Sequence, residues 1–114
     1  MISIYHNPRC SKSRQTLQLL EDKGISPEIV LYLETPPDRA TLLSLLEKLA
    51  ISPRQLLRKS EADYKDNNLK DKALSDQQLI DFMLKYPKLI ERPIVVNGDK
   101  AALGRPPESV LDIL

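Results

Sequence analysis

The sequence contains one cysteine, one histidine, one phenylalanine and no tryptophan. A single cysteine excludes an internal disulfide framework, and one cysteine with one histidine cannot assemble a structural zinc site. The scarcity of large aromatic rings leaves few platforms on which nucleic-acid bases could stack. Acidic and basic residues are interspersed and give a formal net charge of +1. We therefore expect no metal and no nucleic-acid partner.

Long hydrophobic runs are also missing. No segment reaches the roughly 18 consecutive apolar residues of a membrane-spanning helix, and the first residues lack the basic-then-apolar pattern of a signal peptide. We therefore expect no membrane association and a cytoplasmic location, where a free thiol stays reduced. A chain of 114 residues can bury a modest core without disulfides, so residues 1–114 are predicted to form a single domain.

The order of elements in the first third of the chain indicates an α/β fold. Ile2–Tyr5 is predicted to be a strand. Residues 11–23 have helical apolar spacing and end at Gly24, a typical helix stop. Residues 28–33 are predicted to form a second, largely buried strand. A strand, a helix and a strand in succession favour parallel pairing of the two strands.

The remaining pattern completes a thioredoxin-like arrangement. Further helices are predicted at 35–49, 52–59, 75–86 and 107–114. Thr35 is a possible cap for the first of these, and residues 60–73 are expected to be irregular or weakly helical surface. Two short apolar runs, 93–96 and 100–103, flank Asn97-Gly98, which is a strong hairpin signal. The predicted fold is a four-stranded mixed sheet with an antiparallel final hairpin and helices on both faces.

Cys10 lies where the first predicted strand meets the first predicted helix, close to Arg9, Lys12 and Arg14. A thiol at a helix N-terminus faces unpaired backbone N–H groups and the positive end of the helix dipole, which favour its thiolate form. The alternative is a buried core cysteine, a common fate of a lone thiol. Because polar and basic residues follow it, we interpret Cys10 as a reactive nucleophile.

Three arginines are candidate oxyanion ligands: Arg58, Arg92 and Arg105. Arg92 and Arg105 lie at the ends of predicted sheet elements, and guanidinium groups bind oxyanions through paired hydrogen bonds. For each arginine alone, a solvated surface residue is the alternative, and spacing does not establish that they converge. Pro93 opens a strand, and an X-Pro bond is the kind that can be cis, although trans is the commoner state.

Four polar residues near the thiol are candidates for supporting it. His6 stands four residues before Cys10 and can act as a general base, bond to the thiol, or cap the strand end as an ordinary polar residue. Asn7, Ser11 and Ser13 can hydrogen-bond the loop or the thiolate. Shaping the loop is the favoured interpretation for Asn7.

Together these residues resemble the glutaredoxin-coupled arsenate reductases of bacteria, the ArsC family, which have a thioredoxin-like fold. The resemblance covers almost the whole chain. Its motifs are IYHNPRCSKSR at 4–14, YLETPP at 32–37, LLRK at 56–59, LIDFML at 79–84, RPIVV at 92–96 and Arg-Pro at 105–106. Two departures stand out, namely the tight hairpin at 97–99 and the glycine at position 104.

The resemblance implies that Cys10 attacks arsenate. The implied oxyanion ligands are Arg58, Arg92 and Arg105. It also implies that His6 influences the thiol and that Pro93 is the cis-proline of the active site. No bound cofactor is implied: glutathione, as co-substrate, adds to the arsenic on Cys10, a glutaredoxin reduces the adduct, and arsenite leaves. The absence of a second cysteine agrees, because an enzyme that resolved its own intermediate would need one.

Two other functions stay open on the same residues. The C-x-x-S form of residues 10–13 also suits a monothiol oxidoreductase that acts on another glutathione-linked substrate. A second alternative is a regulatory protein of this fold that binds RNA polymerase, as Spx proteins do. Those proteins typically switch through a Cys-x-x-Cys pair, and the second position here is Ser13.

Overall fold

A computed structural model describes residues 1–114. Its elements in chain order are β1 (Ile2–Tyr5), α1 (Ser11–Asp22), β2 (Glu28–Val30), α2 (Arg39–Leu49), α3 (Pro53–Leu56), α4 (Ala62–Asp66), α5 (Asp76–Lys85), a 3₁₀ turn (Pro87–Leu89), β3 (Ile94–Asn97), β4 (Lys100–Leu103) and a C-terminal 3₁₀ helix (Pro107–Ile113). The chain divides into a sheet unit, Met1–Thr35 with Arg92–Leu114, and a helical unit, Pro36–Glu91. The α/β prediction is confirmed, and the single domain stays a prediction.

The sheet unit contains one four-stranded sheet in the order β2-β1-β3-β4. Strand β1 is parallel to β2 and antiparallel to β3, and β3 is antiparallel to β4. The predicted mixed sheet is therefore confirmed. Its core joins residues from two strands, α1 and the C-terminal 3₁₀ helix. The fully buried members are Ile4, Leu20, Val95 and Val110.

Strand β2 is shorter and more exposed than the sequence predicts. It spans only Glu28–Val30, and residues 31–35 turn back, with the N–H groups of Glu34 and Thr35 donating to the Leu31 carbonyl. The expectation of a largely buried strand is wrong, since Ile29 is 49% exposed. The reason is that β2 lies at the edge of the sheet, and an apolar run does not reveal which strand lies at the edge.

Strands β3 and β4 form the predicted hairpin. Asn97 pairs with Lys100, so Gly98 and Asp99 make a two-residue connection. Gly98 has a φ of 63°, a left-handed conformation that glycine adopts without a Cβ clash. The hairpin signal therefore predicted the turn, although the two connecting residues are Gly98 and Asp99 rather than Asn97 and Gly98.

Three of the four α-helices in the helical unit begin at side-chain caps, and α4 does not. Ser52 and Ser75 both form the reciprocal capping boxes typical of helix starts. Helix α2 begins at Asp38, whose carboxylate accepts from the Thr41 N–H at 2.8 Å, so the cap expected at Thr35 is wrong. Pro37 follows Pro36, and a residue before proline is driven away from helical conformation, so a helix does not begin directly after Thr35.

Two further expectations for the helical unit need correction. The helix predicted at 52–59 ends at Leu56, because Leu57 forms an isolated antiparallel bridge with Ile90. The polar segment 60–73 contains the short α4, as expected, but Leu69 within it is fully buried. A single apolar residue in a polar segment thus anchors that segment. No helix in the chain has both the length and the apolar character needed to cross a membrane.

Candidate active site

Cys10 is the N-cap residue of α1, as its position in the sequence predicts. Its backbone is extended, with φ −94° and ψ 123°, and its carbonyl accepts the Arg14 N–H at 3.0 Å. The residue is partly exposed, and no side-chain cap bonds to this end of the helix. The N–H groups of the first turn therefore stay available to an anion, because an N-cap side chain normally takes one of them.

The loop before Cys10 is held by backbone and side-chain hydrogen bonds. The Asn7 carbonyl accepts from the Cys10 N–H and its Oδ1 accepts from the Arg9 N–H, each at 3.0 Å. Arg14 donates from Nη1 to the Pro8 carbonyl at 2.9 Å. Asn7 thus has the geometry of a loop-shaping residue, as expected. Ser11 occupies the first helical position and is exposed.

His6 and Ser13 form a buried pair beneath this loop. The distance from His6 Nδ1 to Ser13 Oγ is 2.6 Å, and Ser13 Oγ also accepts from the Asn7 N–H at 3.0 Å. The His6 pKa lies below its ordinary value of 6.5, first because burial disfavours the imidazolium and then because of the positive charge of Arg14. The neutral ring is therefore hydrogen-bonded to the Ser13 hydroxyl through Nδ1. The ring nitrogen Nδ1 bonds to Ser13 rather than to the thiol.

Strand register brings three chain segments to one end of the sheet. Tyr5, the last residue of β1, pairs with Ile94, the first residue of β3. Ile94 in turn pairs with Leu103, the last residue of β4. The loop that leads to Cys10, the segment before β3 and the segment after β4 therefore all lie at this end.

Two of the predicted arginines meet there. The Arg92–Pro93 bond is cis, as the family resemblance implies, and the Arg105–Pro106 bond is cis as well. Arg105 donates from Nη1 to the Arg92 carbonyl at 3.2 Å. The second cis bond was missed by sequence reasoning, because nothing in an Arg-Pro pair distinguishes the two isomers.

Arg58, the third predicted oxyanion ligand, belongs to the helical unit. Its Nη1 pairs with Glu61 Oε1 at 2.7 Å and its Nε lies 3.4 Å from Glu91 Oε1. Its backbone N–H donates to the Leu89 carbonyl at 2.8 Å. Within its unit, the positive charge of Arg58 is therefore already opposed by two carboxylates.

Two residues of this end of the sheet unit were not among the predicted site residues. Thr16, in α1, is completely buried although polar, and Gly104 is buried between Thr16 and Pro93. The available signal was a threonine on the apolar face of the first helix. The chain contains no group of three or more His, Cys, Asp and Glu side chains placed to hold a metal ion.

These features define a class of protein. A thioredoxin-like sheet carries a partly exposed thiol at the N-terminus of its first helix, and a cis-proline opens the strand next to β1. A model of the ArsC family matches residues 5–113. The chain therefore belongs to the ArsC family.

Individual relatives extend over the whole chain. The uncharacterized protein YfgD of Escherichia coli K12 is 58% identical over 114 residues, covering 99% of this chain and 96% of the relative. A Haemophilus influenzae protein named arsenate reductase is 52% identical over 114 residues, covering 99% and 98%. The solved structure of an arsenate reductase from Vibrio cholerae superposes with a TM-score of 0.97 at 52% identity, covering 99% of this chain and 97% of the other.

Proposed function

We propose that this protein is an arsenate reductase that uses the Cys10 thiolate as its nucleophile and takes its electrons from glutathione and a glutaredoxin. The observation that carries the proposal is the position of Cys10, at an uncapped helix N-terminus and at the end of the sheet where the Arg92 and Arg105 segments meet. Relatives that cover nearly the whole chain and are named arsenate reductase support the choice of oxyanion.

In this proposal the arsenate oxygens are held by the N–H groups of the first turn of α1 and by arginine side chains. Arg92 and Arg105 belong to the same end of the sheet unit as the thiol. Arg58 is included because the family resemblance assigns it, and it has to exchange a carboxylate partner, Glu61 or Glu91, for an arsenate oxygen. Guanidinium forks suit this task because each pairs with two oxygens at once.

The proposed reaction proceeds in four steps. The Cys10 sulfur attacks As(V), and the displaced oxygen takes up protons and leaves as water. Glutathione displaces a second oxygen in the same way, which leaves As(V) bound to two sulfurs. A glutaredoxin thiolate then attacks the glutathione sulfur; an S–S bond forms, the S–As bond breaks, and its electron pair reduces As(V) to As(III). Hydrolysis of the remaining Cys10–arsenic bond releases arsenite and restores the thiolate.

The neighbouring residues support this chemistry indirectly in the proposal. His6, Asn7 and Ser13 hold the loop that presents Cys10, through the hydrogen bonds described above. Ser11 contributes a first-turn N–H, and Pro93 shapes the segment that carries Arg92. In the proposal no bound cofactor takes part, and the reaction occurs in the reducing cytoplasm, where a free thiol persists.

The decisive experiment is a coupled assay in which glutathione reductase and NADPH regenerate glutathione, with a glutaredoxin, arsenate and the purified protein. We expect NADPH oxidation that requires both arsenate and Cys10, with the Cys10→Ser protein as the matched control. Circular dichroism verifies that the control is folded. Turnover by Cys10→Ser, or none by the native protein with several glutaredoxins, overturns the proposal.

One observation favours a second candidate, a monothiol oxidoreductase acting on glutathione mixed disulfides. Ser13 stands where a C-x-x-C motif would have its second cysteine. It is completely buried, and its hydroxyl is bonded to His6. The same assay with a glutathionylated protein in place of arsenate separates the two functions. If neither substrate is turned over, a pull-down with RNA polymerase tests the regulatory alternative.

A further inference from the structure

Gly104 lies against Thr16 and Pro93 at the end of the sheet unit that carries Cys10. An ideal Cβ added to this glycine would collide with Thr16 Oγ1, lie 2.7 Å from Pro93 Cγ and lie 3.0 Å from Thr16 Cγ2. Its φ is not among the positive values of the chain, which for glycine occur at Gly24 and Gly98. The glycine is therefore required by space rather than by backbone conformation.

Both walls of this contact are rigid. Thr16 is completely buried, and its Oγ1 donates to the Lys12 carbonyl at 2.8 Å, one turn earlier in α1. The same oxygen lies 3.5 Å from the Gly104 carbonyl. Pro93 is also buried, and its ring cannot rotate away. An added methyl group at position 104 therefore displaces the segment that carries it.

The displaced segment is the one that carries the two arginines. The Gly104 N–H donates to the Pro93 carbonyl at 2.9 Å, and Arg105 donates to the Arg92 carbonyl at 3.2 Å. The dipeptides 92–93 and 104–105 are thus tied into one block by two hydrogen bonds. This block meets α1 at Thr16, about 9 Å along the helix axis from the N-cap Cys10, at 1.5 Å per residue.

We propose that Gly104 is the positioning residue that sets the distance between the Arg92–Arg105 block and the thiol end of α1. It does so because it has no side chain, so Thr16 and Pro93 pack directly against its backbone. The inference rests on the proposed function, because it assigns Gly104 a role in holding arsenate. It identifies a residue that touches no reacting atom and still governs oxyanion affinity. A displacement on the order of 1 Å is enough to weaken a bidentate contact substantially.

The test compares Gly104→Ala with Gly98→Ala, a glycine at the opposite end of the same hairpin with nothing within 4 Å of its added Cβ. Two quantities are measured: the KM for arsenate in the coupled assay, and the protection of Cys10 from iodoacetamide by arsenate. We expect Gly104→Ala to raise KM and the half-protecting arsenate concentration at least tenfold. Its alkylation rate without arsenate should stay within twofold of the native rate. Gly98→Ala should lower the melting temperature without changing either arsenate measurement.

A second pair of variants separates positioning from general destabilisation. Thr16→Ala removes the two Thr16 atoms that face the added methyl and leaves only Pro93 Cγ, so Gly104→Ala combined with Thr16→Ala should have a lower KM than Gly104→Ala alone. Thr16→Ala alone should raise KM several-fold, because the block loses the wall against which it rests. If Gly104→Ala does not fold, the KM of Thr16→Ala alone tests the proposal instead.

The outcomes distinguish the two proposals. If native protein shows neither turnover nor protection by arsenate, the proposed function fails. If native protein shows both and Gly104→Ala retains native KM and protection, the positioning role is overturned while the function stands. Purely additive effects of the two substitutions on KM likewise overturn it, because they show that Thr16 and Gly104 act independently.

Discussion

The sheet unit and the helical unit are each stabilised internally, and the kind of interaction differs between them. In the helical unit, the capping boxes at Ser52 and Ser75 act between residues three positions apart, and α2 and α3 contact α5 within the same segment of the chain. In the sheet unit, β1 pairs with β3 so that Ile2 lies opposite Asn97, at the other end of the sequence. All the proposed site residues except Arg58 belong to the sheet unit. The chemistry is thus concentrated where the structure depends on long-range pairing.

The arginines illustrate the same contrast. Arg58, in the helical unit, pairs with Glu61 three residues later and with Glu91. Arg105, in the sheet unit, is exposed and contacts the carbonyl of Arg92, thirteen residues earlier. A guanidinium opposed by carboxylates stabilises its own unit.

The largest effects are expected from core truncation in each unit. Leu20→Ala in the sheet unit and Leu69→Ala in the helical unit each remove a completely buried side chain and should cost about 2–5 kcal/mol of unfolding free energy. If residues 1–114 form one domain, each variant lowers the urea midpoint of one unfolding transition that both units share. The measurement is urea unfolding monitored with two probes. Labelling of Cys10 reports on the sheet unit, and hydrogen exchange in α5 reports on the helical unit.

The control for this comparison is Leu111→Ala, since Leu111 is 37% exposed and its truncation should change the unfolding free energy by less than about 0.5 kcal/mol. Midpoints that separate, with Leu69→Ala shifting only the α5 signal, contradict the single-domain prediction. Coinciding shifts support it.

The next largest effects concern the arginines. Arg105→Ala should raise the arsenate KM roughly 10- to 100-fold, the equivalent of about 1.5–3 kcal/mol for a hydrogen bond to a charged group. Because Arg105 is exposed, its melting temperature should hardly change. Arg58→Ala should raise KM as well, but it should also destabilise the protein by about 1 kcal/mol, since two partly exposed carboxylates lose their cation.

The matched variant for Arg58 is Glu61→Gln, which keeps the side-chain length and removes one competing charge. It should lower the arsenate KM if Arg58 binds arsenate. An unchanged KM in both Arg58→Ala and Glu61→Gln removes Arg58 from the site and leaves it a structural residue of the helical unit.

A smaller effect is expected from His6, the buried titratable group of the sheet unit. Its pKa is lowered in the fold, so between that pKa and the ordinary histidine value of about 6.5 the unfolded chain binds more protons. Stability should therefore be complete above about pH 6.5 and fall as the pH drops, by at most about 1.4 kcal/mol per pH unit. Urea unfolding between pH 5 and 8 measures the slope.

His6→Asn is the control, because the amide side chain can form a hydrogen bond with the Ser13 hydroxyl without titrating. The slope between pH 5 and 6.5 should be shallower in this variant. An identical slope in both proteins assigns the acid sensitivity to other groups.

The smallest effect is expected from a helix cap. Ser75→Ala removes the hydrogen bond that the Ser75 hydroxyl accepts from the Gln78 N–H and should cost about 1 kcal/mol, measured by urea unfolding. Ser26→Ala, at an exposed position between α1 and β2, should be neutral by the same measurement. Equal effects of the two substitutions would mean that the capping box does not stabilise α5.

How far the sequence predicts this structure depends on the range of the interactions. The N-cap position of Cys10, the helix starts at Ser52 and Ser75, and the hairpin turn that contains Gly98 all depend on residues within four positions of one another, and all are confirmed. The exposure of β2 was not predicted, because an edge strand differs from a central one only in its neighbours. The cap at Asp38 was missed because Thr35, directly before two prolines, also fits the pattern of a helix start.

The site divides in the same way. Cys10 and the loop residues before it could be named from the sequence, since they are consecutive. The hydrogen bond of His6 to Ser13 could not be foreseen, because the same ring also suited a general base, a hydrogen bond to the thiol and a strand-end cap. The contact of Gly104 with Thr16 joins positions 88 residues apart, and no periodicity reports it.

The sequence by itself determined the family, the α/β order of elements, the place of the nucleophile at a helix N-terminus, and the hairpin that ends the sheet. These are consequences of motif, capping and alternation, which act locally along the chain. Only the tertiary structure decided that Arg92 and Arg105 meet at the thiol end of the sheet and that Arg58 is held by two carboxylates. It also decided that a glycine must stand at position 104. Strand register and close packing fix these arrangements, and both arise between segments that are far apart in the sequence.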